Sequence, residues 1–291
     1  MKVAKEFEAG GKFLHAVQIY QSLINEYPEY AESYIGLAEL YYYWGKKESA
    51  ENIFEKIINI QPENLEVKIY FAEFLIKHKK WQKSIDVLSG FSSDDDPFIS
   101  YLTGYSYYNL KEYELAKVFL LNFVITDEDP ELIHNAYFII AKIDLKLKLY
   151  SNALKFAKKA QELYNDSWEL MLLFSKVYYY LEMFVHSADS ITKALEIKRD
   201  EVAITHWAGK IYLKTEDFIK AKHYFAKCID LKEDITSTDY TNLAHVCFKL
   251  GTLDEALNYY ITAVRLDPKN KLALEGKEKT SNLLNNMVSD A

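Results

Sequence analysis

Cysteine is scarce in this 291-residue chain: Cys228 and Cys247 are its two thiols, and they form no CxxC pair. Two thiols cannot build a disulfide framework for a chain of this size, and a reducing compartment fits best. Proline and glycine are also few, five and nine residues, which leaves no room for long structureless linkers. Positive charge is in deficit: 35 Lys and Arg stand against 43 Asp and Glu, a net charge of −8 that works against attraction to nucleic acid. Long apolar runs are missing too. The opening MKVAKEFEAGGKF has no stretch of signal-peptide length, and nowhere do about 18 apolar residues pass without a charge. These opening residues read as the second half of a helix already under way. The expectation is a soluble, cytoplasmic protein.

The motifs of chemistry are missing as well. The seven histidines, His15, His78, His134, His186, His206, His223 and His245, make no HExxH or HxxxH, and there is no Gly-rich phosphate loop and no GxSxG. His245 and Cys247 form only an HxC pair, read as a surface imidazole beside a core thiol. Asp94, Asp95 and Asp96 lack the glycine and distal glutamate of a calcium loop, and Asp before Pro97 reads as a helix cap. We therefore expect no catalytic residue, no cofactor and no metal, and a protein that is not an enzyme.

What is abundant is apolar and aromatic surface: 49% hydrophobic residues, with 24 Tyr and 16 Phe, enough for an extensive core. It is arranged periodically. A small residue followed four positions later by a bulkier one recurs as Ala16/Tyr20, Ala50/Phe54, Ser84/Leu88, Ala116/Leu120, Ala153/Ala157, Ser187/Ile191, Ala221/Phe225 and Ala256/Tyr260. The intervals are 34, 34, 32, 37, 34, 34 and 35 residues, which makes eight units. Small residues let two antiparallel helices approach, and bulky ones fill the gap to the next pair. Neither helix can bury its apolar face alone, so the units must stack.

The second unit carries the fullest pattern: Tyr34, Leu37, Ala38 and Tyr41, then Ala50 and Phe54, then Pro62. The eighth repeats it with Tyr240, Leu243, Ala244, Cys247, Ala256, Tyr260 and Pro268, and the seventh with Ala208, Gly209, Tyr212, Ala221 and Phe225. This resembles the tetratricopeptide repeat, W-x2-LG-x2-Y…A-x3-F…P. The resemblance implies an all-α, right-handed superhelical solenoid, here a single domain over residues 1–291. Its repeats fall at about 1–30, 31–64, 65–96, 97–133, 134–167, 168–201, 202–236 and 237–270, with a polar-faced capping helix at 271–287. Pro28, Pro62, Pro130 and Pro268 are expected to end second helices. The third unit, with Ser84 and a shortened second helix before SSDDDP at 92–97, is expected to kink or loosen the stack. The 37-residue interval predicts a longer loop near 126–134.

In that family ligands, mostly extended peptides or helices, lie on the first helices of successive units. Taking the residue after each Leu37/Ala38-like pair gives Glu39, Glu73, Tyr105, Lys142, Lys176, Lys210 and His245 as rungs. Other inward positions supply Glu32, Ile35, Tyr42, Glu66, Ile69, Tyr101, Tyr108, Phe138, Tyr179, His206 and Phe248. The face runs acidic, then aromatic, then basic. Tyr101, Tyr105 and Tyr108 are the candidate anchor, although such a stripe is also ordinary filler between helices. Lys142, Lys176 and Lys210 share a 34-residue spacing and form either a solvated face or a site for partner carboxylates; charges about 10 Å apart in water repel by only about 0.4 kcal/mol. The Lys/Asn/Arg clamp of chaperone-binding relatives is not matched, since Ile69 and Glu73 stand where basic residues belong. The function implied is a scaffold that binds a protein or peptide of unknown identity, without nucleic acid or membrane insertion. Two alternatives remain open: self-assembly into homo-oligomers, and a regulatory arm for an enzyme on another chain.

Overall fold

The computed structural model describes residues 2–127, 129–164 and 167–289, with side chains described as far as residue 287. Among these residues there are seventeen α-helices and no strand. They fall into two compact units, Met1–Glu128 and Asp129–Ala291. The first holds α1 (Lys2–Ala9), α2 (Phe13–Glu26), α3 (Ala31–Tyr43), α4 (Lys47–Ile60), α5 (Leu65–Lys77), α6 (Trp81–Leu88), α7 (Pro97–Leu110) and α8 (Tyr113–Thr126). The second holds α9 (Pro130–Lys146), α10 (Tyr150–Leu163), α11 (Trp168–Tyr180), α12 (Phe184–Ile197), α13 (Val202–Lys214), α14 (Phe218–Asp230), α15 (Ser237–Lys249), α16 (Leu253–Leu266) and α17 (Lys271–Ser289).

The periodic small residues do what their spacing demands. All eight, from Ala16 to Ala256, have no exposed surface, and Tyr20, Phe54, Leu88, Leu120, Ala157, Ile191, Phe225 and Tyr260 beside them are buried. Where serine replaces alanine, its hydroxyl is satisfied across the pair: Ser84 donates to the Ala72 carbonyl at 3.2 Å and Ser187 to the Ser175 carbonyl at 2.8 Å. The first helices contribute a second small position. A Cβ on Gly104 would lie 2.8 Å from Leu120 Cγ, and one on Gly209 would lie 2.6 Å from the Phe225 ring, so glycine sets the distance between these helices.

The turn inside each pair is as periodic as the core. Gly11, Gly45, Lys79, Lys111, Lys148, Glu182, Glu216 and Gly251 all take positive φ, at the same intervals as the small residues. Each closes its first helix with a six-to-one hydrogen bond, as in Lys46 N to Tyr41 O (2.9 Å) and Asp217 N to Tyr212 O (2.9 Å). Several helix starts are capped by side chains: Asn64 accepts from Val67 N, Asp96 from Phe98 N, Asp129 from Glu131 N and Ser167 from Leu170 N.

Several expectations change. Pro28, Pro62 and Pro268 do follow second helices, but Pro130 opens α9, where its missing N–H costs nothing. The 37-residue interval is not taken up by a longer loop: α8 ends at Thr126 and α9 begins at Pro130, with Glu128 between them outside the described residues. The extra turn is in α9 itself, 17 residues against 13 in α11 and α13. The short α6 is as expected, but the packing does not lapse at SSDDDP. Ser92 N binds Asp95 Oδ2 at 2.8 Å, and the buried cluster Ala72, Leu88, Ile99 and Leu102 continues across it. Finally, α17 buries Ala273 and Thr280 but leaves Leu272, Leu274, Leu283 and Met287 exposed, so its outer face is not purely polar.

Candidate functional site

In the first unit, α3 and α5 present Ile35, Glu39, Tyr42, Tyr70, Glu73 and Phe74 to an open recess of about 770 Å³. Positions four apart on one helix share a face, which is why Ile35 and Glu39 appear together. Tyr42 stacks on His78 and stands edge-on to Phe74, with ring centroids 5.3 Å apart. Burial pushes the Glu73 carboxyl above its ordinary pKa. Glu39, Tyr42 and Glu73, chosen from sequence, are thus brought together.

The tyrosine stripe of α7 is half-buried. Tyr101 stacks on Phe98 at 5.7 Å and on Tyr105 at 6.2 Å, and tilts against Phe123 at 5.2 Å. Tyr105 meets Trp81 of α6 edge-on at 6.0 Å, and Tyr108 lies 6.3 Å from Tyr113. These rings pack between helices and keep part of their surface in water.

In the second unit the lysine rungs alternate with aromatic rings. Lys142 Nζ lies 5.2 Å from the Phe138 ring one turn back. Lys176 lies 5.4 Å from the Trp207 ring, while Lys210 lies 4.3 Å from the same ring and 5.6 Å from Tyr179. Tyr179 and Trp207 meet edge-on at 5.6 Å. Neither Lys176 nor Lys210 makes a hydrogen bond or ion pair among the described residues. Burial, reinforced by Lys146, Lys142 and Lys210, brings the Lys176 ammonium down from 10.5 to about 8. Burial also lowers Lys210 and His206, the latter further depressed by Lys210 and Lys232. Beside this column Tyr179, Lys210, Lys214, Asn242, His245 and Lys249 line a recess of about 410 Å³, with Glu216 as the one acid among its lining residues. A cationic, aromatic-walled surface of this kind can hold carboxylates while its rings pack against neighbouring apolar groups.

Sequence reasoning missed Trp207, which the spacing to Lys210 on the same helix face could have revealed. It also missed Lys146, four residues after Lys142, and Lys214, four after Lys210. Asn242 and Lys249 carry no such signal, because their place in the recess depends on how α15 packs against α13. One donor group likewise has no sequence signature: His206, Cys228 and Asp239, from three helices, bring ring nitrogen, sulfur and carboxylate oxygen within 4.8 Å of one another.

The model of the tetratricopeptide repeat matches residues 6–63, 204–235 and 240–270. Comparison with curated protein sequences gives no match. Among solved structures, a chain of the APC/C hetero-tetramer Cut9–Hcn1 aligns over 92% of this chain with TM-score 0.63 and 14% identity. This chain spans about half, 52%, of the length of that one. A tetratricopeptide repeat protein from Parabacteroides merdae ATCC 43184 aligns over 91% of this chain and 99% of its own, with TM-score 0.59 and 16% identity. YrrB, described as a TPR protein with an unusual peptide-binding site, aligns over 68% of this chain and 97% of its own, with TM-score 0.55 and 17% identity. At such identities the likeness is one of fold. No helix among the described residues is long and apolar enough to cross a membrane. The family model, the buried small-residue register and the shared fold agree, and the chain carries tetratricopeptide repeats in both of its units.

Proposed function

We propose that the chain is a protein-interaction scaffold and that the α9–α11–α13 face of its second unit takes an acidic segment of a partner protein. The observation that carries this is the pair Lys176 and Lys210, half-buried against Trp207 and Tyr179, lacking carboxylate partners, and depressed in pKa by burial. Cations held this way cost folding energy that an anionic ligand returns, which is the signature of a site kept for binding. Peptide binding is described for YrrB; it is extended to this chain as part of the proposal. In the first unit Glu39, Tyr42 and Glu73, with Tyr101, Tyr105 and Tyr108, are the proposed contacts for other parts of a partner. The eight helix pairs are the proposed repeats of the scaffold.

The test is a titration of the full chain with an unstructured acidic peptide, followed by tryptophan fluorescence and repeated at several salt concentrations. Lys176→Glu and Lys210→Glu should each weaken binding at least tenfold. Lys193→Glu, on the exposed side of α12, should change it less than twofold. Equal affinities for wild type and Lys176→Glu would remove the face from consideration.

A further inference from the structure

Three side chains that could ligate a metal converge in the second unit although no ligand spacing in the sequence announces them. His206 comes from α13, Cys228 from the last turn of α14 and Asp239 from the first turn of α15, and their donor atoms all lie within 4.8 Å of one another. Cys228 and Asp239 are buried, with 1% and 4% of their surface exposed, while His206 is half-buried and forms the side open to solvent. Packing does not call for a thiol here. The corresponding last-turn positions of α10, α12 and α16 hold Ala160, Ala194 and Ala263, each with no exposed surface. Asp239 is held in place by its own turn: Oδ2 accepts from Thr236 N at 2.9 Å and from Thr236 Oγ1 at 2.7 Å, leaving Oδ1 to Lys232 Nζ at 2.5 Å.

We propose that His206, Cys228 and Asp239 form a binding site for a divalent metal ion of the zinc class. One nitrogen, one sulfur and one oxygen donor suit a borderline-soft ion with tetrahedral preference, and do not suit calcium or magnesium, which take oxygen. With metal–ligand bonds of about 2.0–2.3 Å, donors in such a site stand about 3.3–3.8 Å apart, so the group contracts by about 1 Å through side-chain adjustment. A fourth position would be left to water, which can reach the site because His206 is only half-buried. In the metal-free chain Lys232 is the cation that neutralises Asp239. Its side chain is 22% exposed and can swing into solvent when the ion enters. On binding, the Cys228 S–H bond breaks, its proton leaves to solvent and a sulfur–metal bond forms, with no electron transferred. The buried group is neutral in both states: carboxylate with ammonium before, carboxylate and thiolate with the dication after. Lys210 also faces His206 and weakens the site relative to a structural zinc centre. The ion would tie α13, α14 and α15 together, joining the seventh helix pair to the eighth.

This inference is independent of the partner-binding proposal. Its test is titration of the reduced, metal-stripped full chain with Co²⁺, read by absorbance, and with Zn²⁺ in competition with a chelating indicator. One equivalent of Co²⁺ should give a thiolate-to-cobalt charge-transfer band. The band should vanish in Cys228→Ala, which introduces the residue that neighbouring repeats already carry there, and persist in Cys247→Ala. Zinc affinity should fall at least tenfold in Cys228→Ala and in His206→Gln, and rise in Lys232→Gln. A folded wild type without the band, a band surviving in Cys228→Ala, or one lost in Cys247→Ala would each overturn the site.

Discussion

Replacing Lys176 by methionine keeps a flexible stem and removes the charge, and it should stabilise the second unit while weakening partner binding. The ammonium is brought from 10.5 to about 8 by burial and by Lys146, Lys142 and Lys210. At about 1.4 kcal/mol per pKa unit, the ceiling on the cost of keeping it charged is about 3 kcal/mol. The side chain retains contact with water and gains from the Trp207 ring at 5.4 Å, which brings the expected stabilisation to about 1–2 kcal/mol. The sign with pH follows from linkage. The folded chain gives up this proton near pH 8 and the unfolded chain near its ordinary 10.5, so between these values the unfolded state binds more protons. Wild-type stability from this residue therefore rises across that window, and the penalty is full below it. Urea unfolding followed by tryptophan fluorescence should show a higher midpoint for the variant at about pH 7 and a gap that closes by about pH 10. Equal midpoints at about pH 7, or a gap that does not change with pH, would refute the reasoning.

Two further substitutions test the architecture. Glu182 is exposed and holds φ of 60° in the turn between α11 and α12, so Glu182→Gly should raise stability by about 1 kcal/mol, read as a higher thermal midpoint by circular dichroism; a lower midpoint would show that the turn is not strained. Gly104→Ala places a Cβ 2.8 Å from Leu120 Cγ and 3.1 Å from the Leu120 backbone nitrogen, which cannot yield. It should destabilise the first unit by about 1–3 kcal/mol despite alanine's better helix propensity, and a stabilised variant would mean that α7 and α8 are looser than they stand.

The fold was legible because its information is periodic and local. A small residue every 34 or so positions states how closely two helices pack, and all eight such residues are fully buried. The order of helices and the burial of Cys247 at an aromatic repeat position followed from the same register, and the capping by Asp96 from its place before Pro97. The candidate faces were partly legible: Glu39 with Glu73, and Lys142 with Lys176 and Lys210, could be placed by counting along first helices. What counting cannot supply is the environment. Nothing in the spacing distinguishes Lys142, beside Phe138 on its own helix, from Lys176, whose ring partner Trp207 belongs to another helix.

The sequence by itself determined the repeat, its eight registers and the sign of charge along the first helices, because these depend on neighbours within about 40 residues. Tertiary structure decided the rest. It put the extra residues of the 37-residue interval into α9, since a helix absorbs a turn without exposing backbone to the core. It placed left-handed residues at five non-glycine turns, since the closing hydrogen bonds and the packing of each pair outweigh a local preference that the chain alone would follow. It also brought His206, Cys228 and Asp239 together from three helices, because a contact between side chains on different helices is settled by the angles at which those helices pack and not by any spacing along the chain.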